Sequence, residues 1–285
     1  MSGSSADPTT SRPVRHAVHH LSCATMCPAA SRIPRFMPSE LVAHCLVVEG
    51  SDGLTLVDTG FGLQDVADHG KRLGRPFTVL VGARLDPAET AFEQVRALGH
   101  RPEDVRDIVV THLDLDHAGG LADFPWARVH VHRAELDAAR NPTARERLRY
   151  VPAQWSHGPD WVEHEAGGDD WFGFASVQAV GDDIRMIPLP GHTRGHCGVA
   201  VRRSGDGWLL HAGDAYFHTG DKETPRSCPP GLRAYQSGLA VDGRRRRQNL
   251  ERLQELHQHH GPAGDGQVTV FSAHDRTELD ALRPS

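Results

Sequence analysis

The sequence predicts a mixed fold built on β-sheet, in which several strands end at one shared edge and together carry a metal site. Three observations predict it. Short β-branched apolar runs recur along the chain, separated by turns rich in Gly and Asp. Four of these runs are followed at once by a histidine or an aspartate: at 112–117, at His192, at Asp214 and at His274. Imidazole and carboxylate are the only groups used at those four places. One such case is ordinary, because polar residues usually follow strands. The series is not.

Composition sets the frame. The chain has 285 residues, 38% hydrophobic and 24% charged, which is ordinary for a globular protein of one large domain. The formal net charge of -6 offers no global basic field for nucleic acid. Five cysteines, an odd number spread along the chain, argue against a disulfide framework and for a reducing compartment. The 20 histidines are in excess and keep metal chemistry open. No apolar run approaches the roughly 20 residues of a membrane span. The expected organisation is a disordered, Ser/Thr/Pro-rich leader at 1–13 and a single cytoplasmic domain over 14–285.

The elements follow in order. Residues 41–48 and 54–57 read as a hairpin that ends at Asp58, in a polar, Gly-rich turn. A helix is predicted over 87–98, with Asp86 as N-cap, Pro87 at its first position and Gly99 just past its end. The strand at 107–110 leads into Thr111-His112-Leu113-Asp114-Leu115-Asp116-His117-Ala118-Gly119-Gly120. In an extended chain His112, Asp114 and Asp116 share one side, and Leu113 and Leu115 the other. His117 breaks the alternation as the chain turns at the glycines, and Asp116 suits the N-cap of a short helix. His130 and His132 alternate with valines on a further strand and read as strand histidines. Residues 141–180 are an aromatic-rich insertion, with three of the five tryptophans within 17 positions. Its rings line a substrate pocket, form a homodimer contact, or pack the insertion onto the domain. Strands at 184–189, 198–201, 208–214 and 267–273 complete the sheets, and 244–260 is an amphipathic helix. Cys23 and Cys27 have no common zinc or redox spacing.

These residues resemble the metallo-β-lactamase superfamily. The 111–120 stretch is similar to its His-x-His-x-Asp-His-x-Gly-Gly signature, with Asp114 at a position usually held by His. Leu56-Val57-Asp58-Thr59-Gly60, Gly191-His192-Thr193-Arg194-Gly195-His196, Gly213-Asp214 and Ser272-Ala273-His274-Asp275 resemble its other elements, in order, between about residues 40 and 280. The resemblance implies an α+β fold, a four-layer αββα sandwich of two mixed sheets with helices on the outer faces. It also implies two divalent metal ions, zinc first, with iron or manganese favoured by the harder Asp114. His112, Asp114 and His192 would hold the first ion. Asp116, His117 and His274 would hold the second. Asp214 would bridge them, and Asp58 would orient a ligand. With His at 114, two dications, two carboxylates and a hydroxide leave one net positive charge; with Asp114 the site is neutral.

The implied function is hydrolysis of an ester- or lactone-type carbonyl in a small molecule by a metal-bridging hydroxide, nearest in look to the lactonase-like branch. Asp116 or Asp114 would carry the proton to the leaving group. Tyr216, two residues past Asp214, would donate to the oxyanion; the lactonase tyrosine falls one residue later, where this chain has Phe217. Arg194 is either a partner for a substrate carboxylate or a surface residue. The alternative is an iron-dependent redox enzyme acting on oxygen, thiols or persulfides. No nucleic-acid or membrane partner is expected.

Overall fold

The computed structural model describes residues 17–33, 35–165, 167–203, 205 and 207–283. The leader expected at 1–13 lies outside the described residues.

Strands β1 (Val18–Met26), β2 (Leu41–Gly50), β3 (Gly53–Val57), β4 (Ala83–Arg84), β5 (Val105–Val109), β6 (Arg128–His132) and β7 (Asp160–His164) form one sheet, in the order β4-β1-β2-β3-β5-β6-β7. Strands β8 (Asp169–Trp171), β9 (Phe174–Val180), β10 (Ile184–Pro188), β11 (Cys197–Arg202), β12 (Trp208–His211) and β13 (Val268–Phe271) form the other, in the order β13-β12-β11-β10-β9-β8. Both are mixed. β3, β5, β6 and β7 pair in parallel beside the antiparallel β1–β2–β3. β12 and β13 pair in parallel beside antiparallel neighbours.

Side-chain alternation explains the layers. Along β2, Leu46 and Val48 join Val57, Val109, Met186, Val199 and Phe271 in a core between the sheets. Cys45 and Val47 point the other way, into a second core with Leu56 and Ile108, covered by helices Ala91–Ala97 and Arg133–Arg140. On the far face of the second sheet, Leu250, Leu253 and Leu256 of helix Gly243–His260 pack on Ala200, Leu210 and Val270. Helix, sheet, sheet, helix is the expected αββα order. Strands covered on both faces read as continuous apolar runs, which is why their existence was legible.

Several boundaries differ from expectation. Asp86 caps only a 3-10 turn, Pro87–Glu89, and Thr90 caps the helix that follows; Gly99 ends it with φ 88°. The 141–180 segment is built into both sheets, as β7, β8 and β9, rather than standing as an insertion. Trp171 and Phe174 pack into the second sheet's outer core, and Tyr150 into that of the first. Strand β1, with Cys23 buried within it and all five cysteines unpaired, was not anticipated. Among the described residues no helix is long and apolar enough to cross a membrane.

Candidate metal centre

Parallel pairing puts the ends of β3 and β5 at one edge of the first sheet, and the ends of β10, β12 and β13 at the matching edge of the second. Backbone hydrogen bonds tie the loops beyond them together. Asp58 N donates to Val109 O, Cys197 N to Thr111 O, and Ala273 N to Gly213 O. Asp58 itself sits at φ 56°, a left-handed turn that swings its carboxylate under the β5 loop.

The loop after β5 does not stay extended. β5 stops at Val109 and a helical turn begins at Leu115, so Asp114, not Asp116, occupies the N-cap position, though its side chain caps nothing. The expectation that His112, Asp114 and Asp116 share one face of a strand is therefore corrected. Asp116 arrives from the helical turn instead.

All seven candidate ligands nonetheless converge, in two groups. One donor atom each from His112, Asp114, His192 and Asp214 lie within 4.8 Å of one another, and so do those of Asp116, His117 and His274. Asp214 joins the groups. Its Oδ2 is 3.2 Å from His192 Nε2 and 3.7 Å from His112 Nε2. Its Oδ1 is 3.3 Å from His117 Nε2 and 3.0 Å from His274 Nε2. Asp114 Oδ2 lies 3.0 Å from His192 Nε2 and 3.4 Å from His112 Nε2. Asp116 Oδ2 is 3.8 Å from His274 Nε2.

The donor set fits two ions. His112 Nε2, His117 Nε2 and Asp214 Oδ1 are buried without a hydrogen-bond partner. Three orphaned polar atoms aimed at one space would be costly without a cation between them. Electrostatics agree. Burial alone would raise Asp214, yet His274, His117, His192 and His112 hold it well below the usual carboxylate range. Burial lowers His192 to about 4, so it is a neutral, ligand-ready imidazole at neutral pH.

Supporting groups fix the ring orientations. Asp58 Oδ2 is 2.8 Å from His117 Nδ1 and accepts from Thr111 Oγ1, while its Oδ1 accepts from Thr111 N. Thr111 Oγ1 in turn lies 2.9 Å from His112 Nδ1. His274 Nδ1 donates to Val42 O. His196 accepts from Asp214 N at its Nε2 and donates to Leu189 O from its Nδ1.

One expected role is corrected, and the two readings of Arg194 narrow to the surface one. Tyr216 is fully buried and its hydroxyl donates to Glu278 Oε1 at 3.0 Å, away from the centre. The chain's path past Asp214 turns Phe217 toward the site instead, its ring 4.5 Å from that of His274. Arg194 is held by Glu146 and the Asn141 carbonyl, not by the site.

Three residues escaped sequence reasoning. Glu135, on helix Arg133–Arg140, accepts from Leu113 N, Tyr150 Oη, Thr193 Oγ1 and Gly195 N, so one carboxylate ties both metal loops. Arg149 Nε is 3.4 Å from Asp114 Oδ1, while Asp114 Oδ2 faces the imidazoles. Burial would raise Asp114, but Arg149 and His112 hold it well below its ordinary range. The extra carboxylate thus has its own counter-charge. Tyr235 packs edge-on against Phe217, 6.2 Å between centroids. Burial and the Asp116, Asp214 and Asp114 carboxylates push its hydroxyl up, so it stays protonated. No sequence motif marks any of the three.

Residues 39–256 match the model of the metallo-beta-lactamase superfamily. The chain belongs to that superfamily. It is 45% identical over 262 residues to a Mycobacterium tuberculosis protein named as a probable metallo-hydrolase, covering 90% of this chain and 80% of that one. It is 30% identical to an N-acyl homoserine lactonase of Rhizobium johnstonii, over 66% of this chain and 69% of the relative. Its fold is similar to that of a B. thuringiensis AiiA variant solved with N-decanoyl-L-homoserine at its active site, with TM-score 0.70, 20% identity and coverage of 95% and 97%. The chain is a metallo-hydrolase of this superfamily and its centre binds divalent metal. The relatives do not favour the redox alternative.

Proposed function

We propose that the chain hydrolyses a lactone or related ester bond in a small molecule, with two zinc ions at the centre. The observation that carries this reading is Asp214, whose carboxylate lies among all four histidines: Oδ2 faces His112 and His192, Oδ1 faces His117, and His274 Nε2 is 3.0 Å from Oδ1 and 3.2 Å from Oδ2. A single carboxylate so placed is built to bridge two cations. The lactonase relatives support the lactone class.

Two bound dications supply a Lewis-acidic pole for the carbonyl oxygen and acidify a water for attack. The chain's own residues do the rest. The side chains of Asp114 and Asp116 are 13% and 14% exposed, whereas His112, His117, His192, Asp214 and His274 are nearly sealed. Substrate therefore approaches across these two carboxylates. A cavity of about 430 Å³ opens beside His274 and Phe217 and gives a small molecule room. Among the described residues Asp116 has no guanidinium partner comparable to Arg149, which makes it the better proton carrier to the leaving oxygen. Tyr235 takes the donor role first expected of Tyr216: it packs against Phe217 and its hydroxyl stays protonated, so it can hydrogen-bond the developing oxyanion.

The test is direct. The zinc-loaded protein is assayed on a panel of lactones and open esters while zinc per chain is measured. The expected result is two equivalents held by this centre, turnover of a lactone, and loss of those two equivalents and of turnover in Asp214→Ala. Full activity in that variant would sink the bridging assignment, and a single equivalent would remove the dinuclear mechanism.

A further inference from the structure

The centre uses four of the chain's 20 histidines. Elsewhere, His20, His44 and His211 are packed between the sheets around Phe271, and His130 lies between Asp107 and His164. One other group of described residues is arranged for a cation.

We propose that His19, Glu49 and His100 form a separate, solvent-accessible site for one zinc-class divalent ion. His19 Nε2 lies 2.6 Å and His100 Nε2 3.3 Å from the same oxygen, Glu49 Oε1. One donor atom from each residue lies within 4.8 Å of the others. The imidazole planes meet at 64°, so both rings present a nitrogen edge to the carboxylate instead of stacking.

Three hydrogen-bonded elements fix the donors. His19 is on β1, opposite Val47 of β2, and Glu49 lies two residues further along β2. His100 follows Gly99, and its N–H donates to Val95 O to close the end of helix Ala91–Ala97. The backbone is therefore in place before any ion arrives, and only side-chain torsions need settle. Two imidazoles and one carboxylate are the donor set of open zinc sites. The three side chains are 30%, 38% and 28% exposed, which leaves the remaining positions to water or an added ligand. A cavity of about 430 Å³ begins at His100. Hydrogen bonds this exposed contribute little by themselves, whereas coordination would clamp β1, β2 and the helix end together.

The site is remote from the dinuclear centre. The centre touches β2 at Val42, whose carbonyl accepts from His274. Glu49 is seven residues further along the strand, on the order of 20 Å away.

Equilibrium dialysis of the full chain against buffered micromolar free zinc, followed by elemental analysis, tests the proposal. The wild type should hold one equivalent more than His19→Ala/His100→Ala and one more than Glu49→Gln. Asp214→Ala should keep that equivalent while losing those of the centre. Lactone or ester turnover by the Glu49→Gln protein should match the wild type. Equal zinc content in the wild type and the double variant would overturn the proposal and leave a hydrogen-bonded trio. Loss of the same equivalent in Asp214→Ala would place it in the centre, with the same consequence.

Discussion

At the scale of single side chains, Asp58 works through the ligands, and Tyr235, packed on Phe217, is the donor proposed above. Asp58 holds the ring of His117 directly and that of His112 through Thr111. Burial would raise its pKa, but His117 outweighs that and keeps it ionised. Asp58→Asn keeps the shape and removes the charge, so metal affinity should fall about 10–100-fold, read by chelator competition. Unchanged affinity would demote Asp58 to a turn residue. Tyr235→Phe should lower kcat about 10–100-fold with metal content intact. Tyr216→Phe should leave kcat alone and cost about 1–2 kcal/mol of stability, because it takes a hydroxyl donor from the buried Glu278 carboxylate. The reverse pattern in kinetics and denaturation would restore Tyr216 to the site.

Among the elements, helix Arg133–Arg140 couples the two ligand loops. Its Glu135 accepts hydrogen bonds from the 111–117 loop and from the 192–196 loop at once. Gly195 is required where they meet, since a Cβ there would lie 2.1 Å from Glu135 N. Glu135→Ala leaves Leu113 N and Gly195 N buried without acceptors. The expected loss is about 3 kcal/mol or more, measured by urea denaturation. The first metal equivalent should weaken with it, because His192 and Asp114 lie on the loops released. A variant of wild-type stability would show that the loops hold themselves.

For the whole molecule, the packing of the sheets has a pH consequence. Burial lowers His20 from 6.5 to about 4, and burial holds its neighbour His44 well below the ordinary value too. Between about pH 6.5 and 4 the unfolded chain takes up protons that the folded chain refuses. Stability therefore falls as pH falls through that window, by at most about 3 kcal/mol from His20. His20→Gln should flatten the acid limb of a plot of Tm against pH. An unchanged slope would show that His20 is hydrated in solution.

What the sequence by itself determined was the existence of the strands and the ligand series at their ends; the layer order followed from the family resemblance those residues carry. The first two are local signals: doubly covered strands demand continuous apolar runs, and ligands at strand ends follow within a few residues of them. The segments holding His112, Asp114, Asp116, His117, His192, Asp214 and His274 were legible for that reason. Tertiary structure alone decided which side chains face the centre from further away. Tyr216 and Phe217 differ by one position, and only the turn after Asp214 sends the second inward and the first onto Glu278. Arg149 reaches Asp114, Glu135 reaches the ligand loops and Tyr235 reaches Phe217, each from a distant element. Such contacts are set by how sheets and helices dock in three dimensions, and no spacing along the chain encodes them.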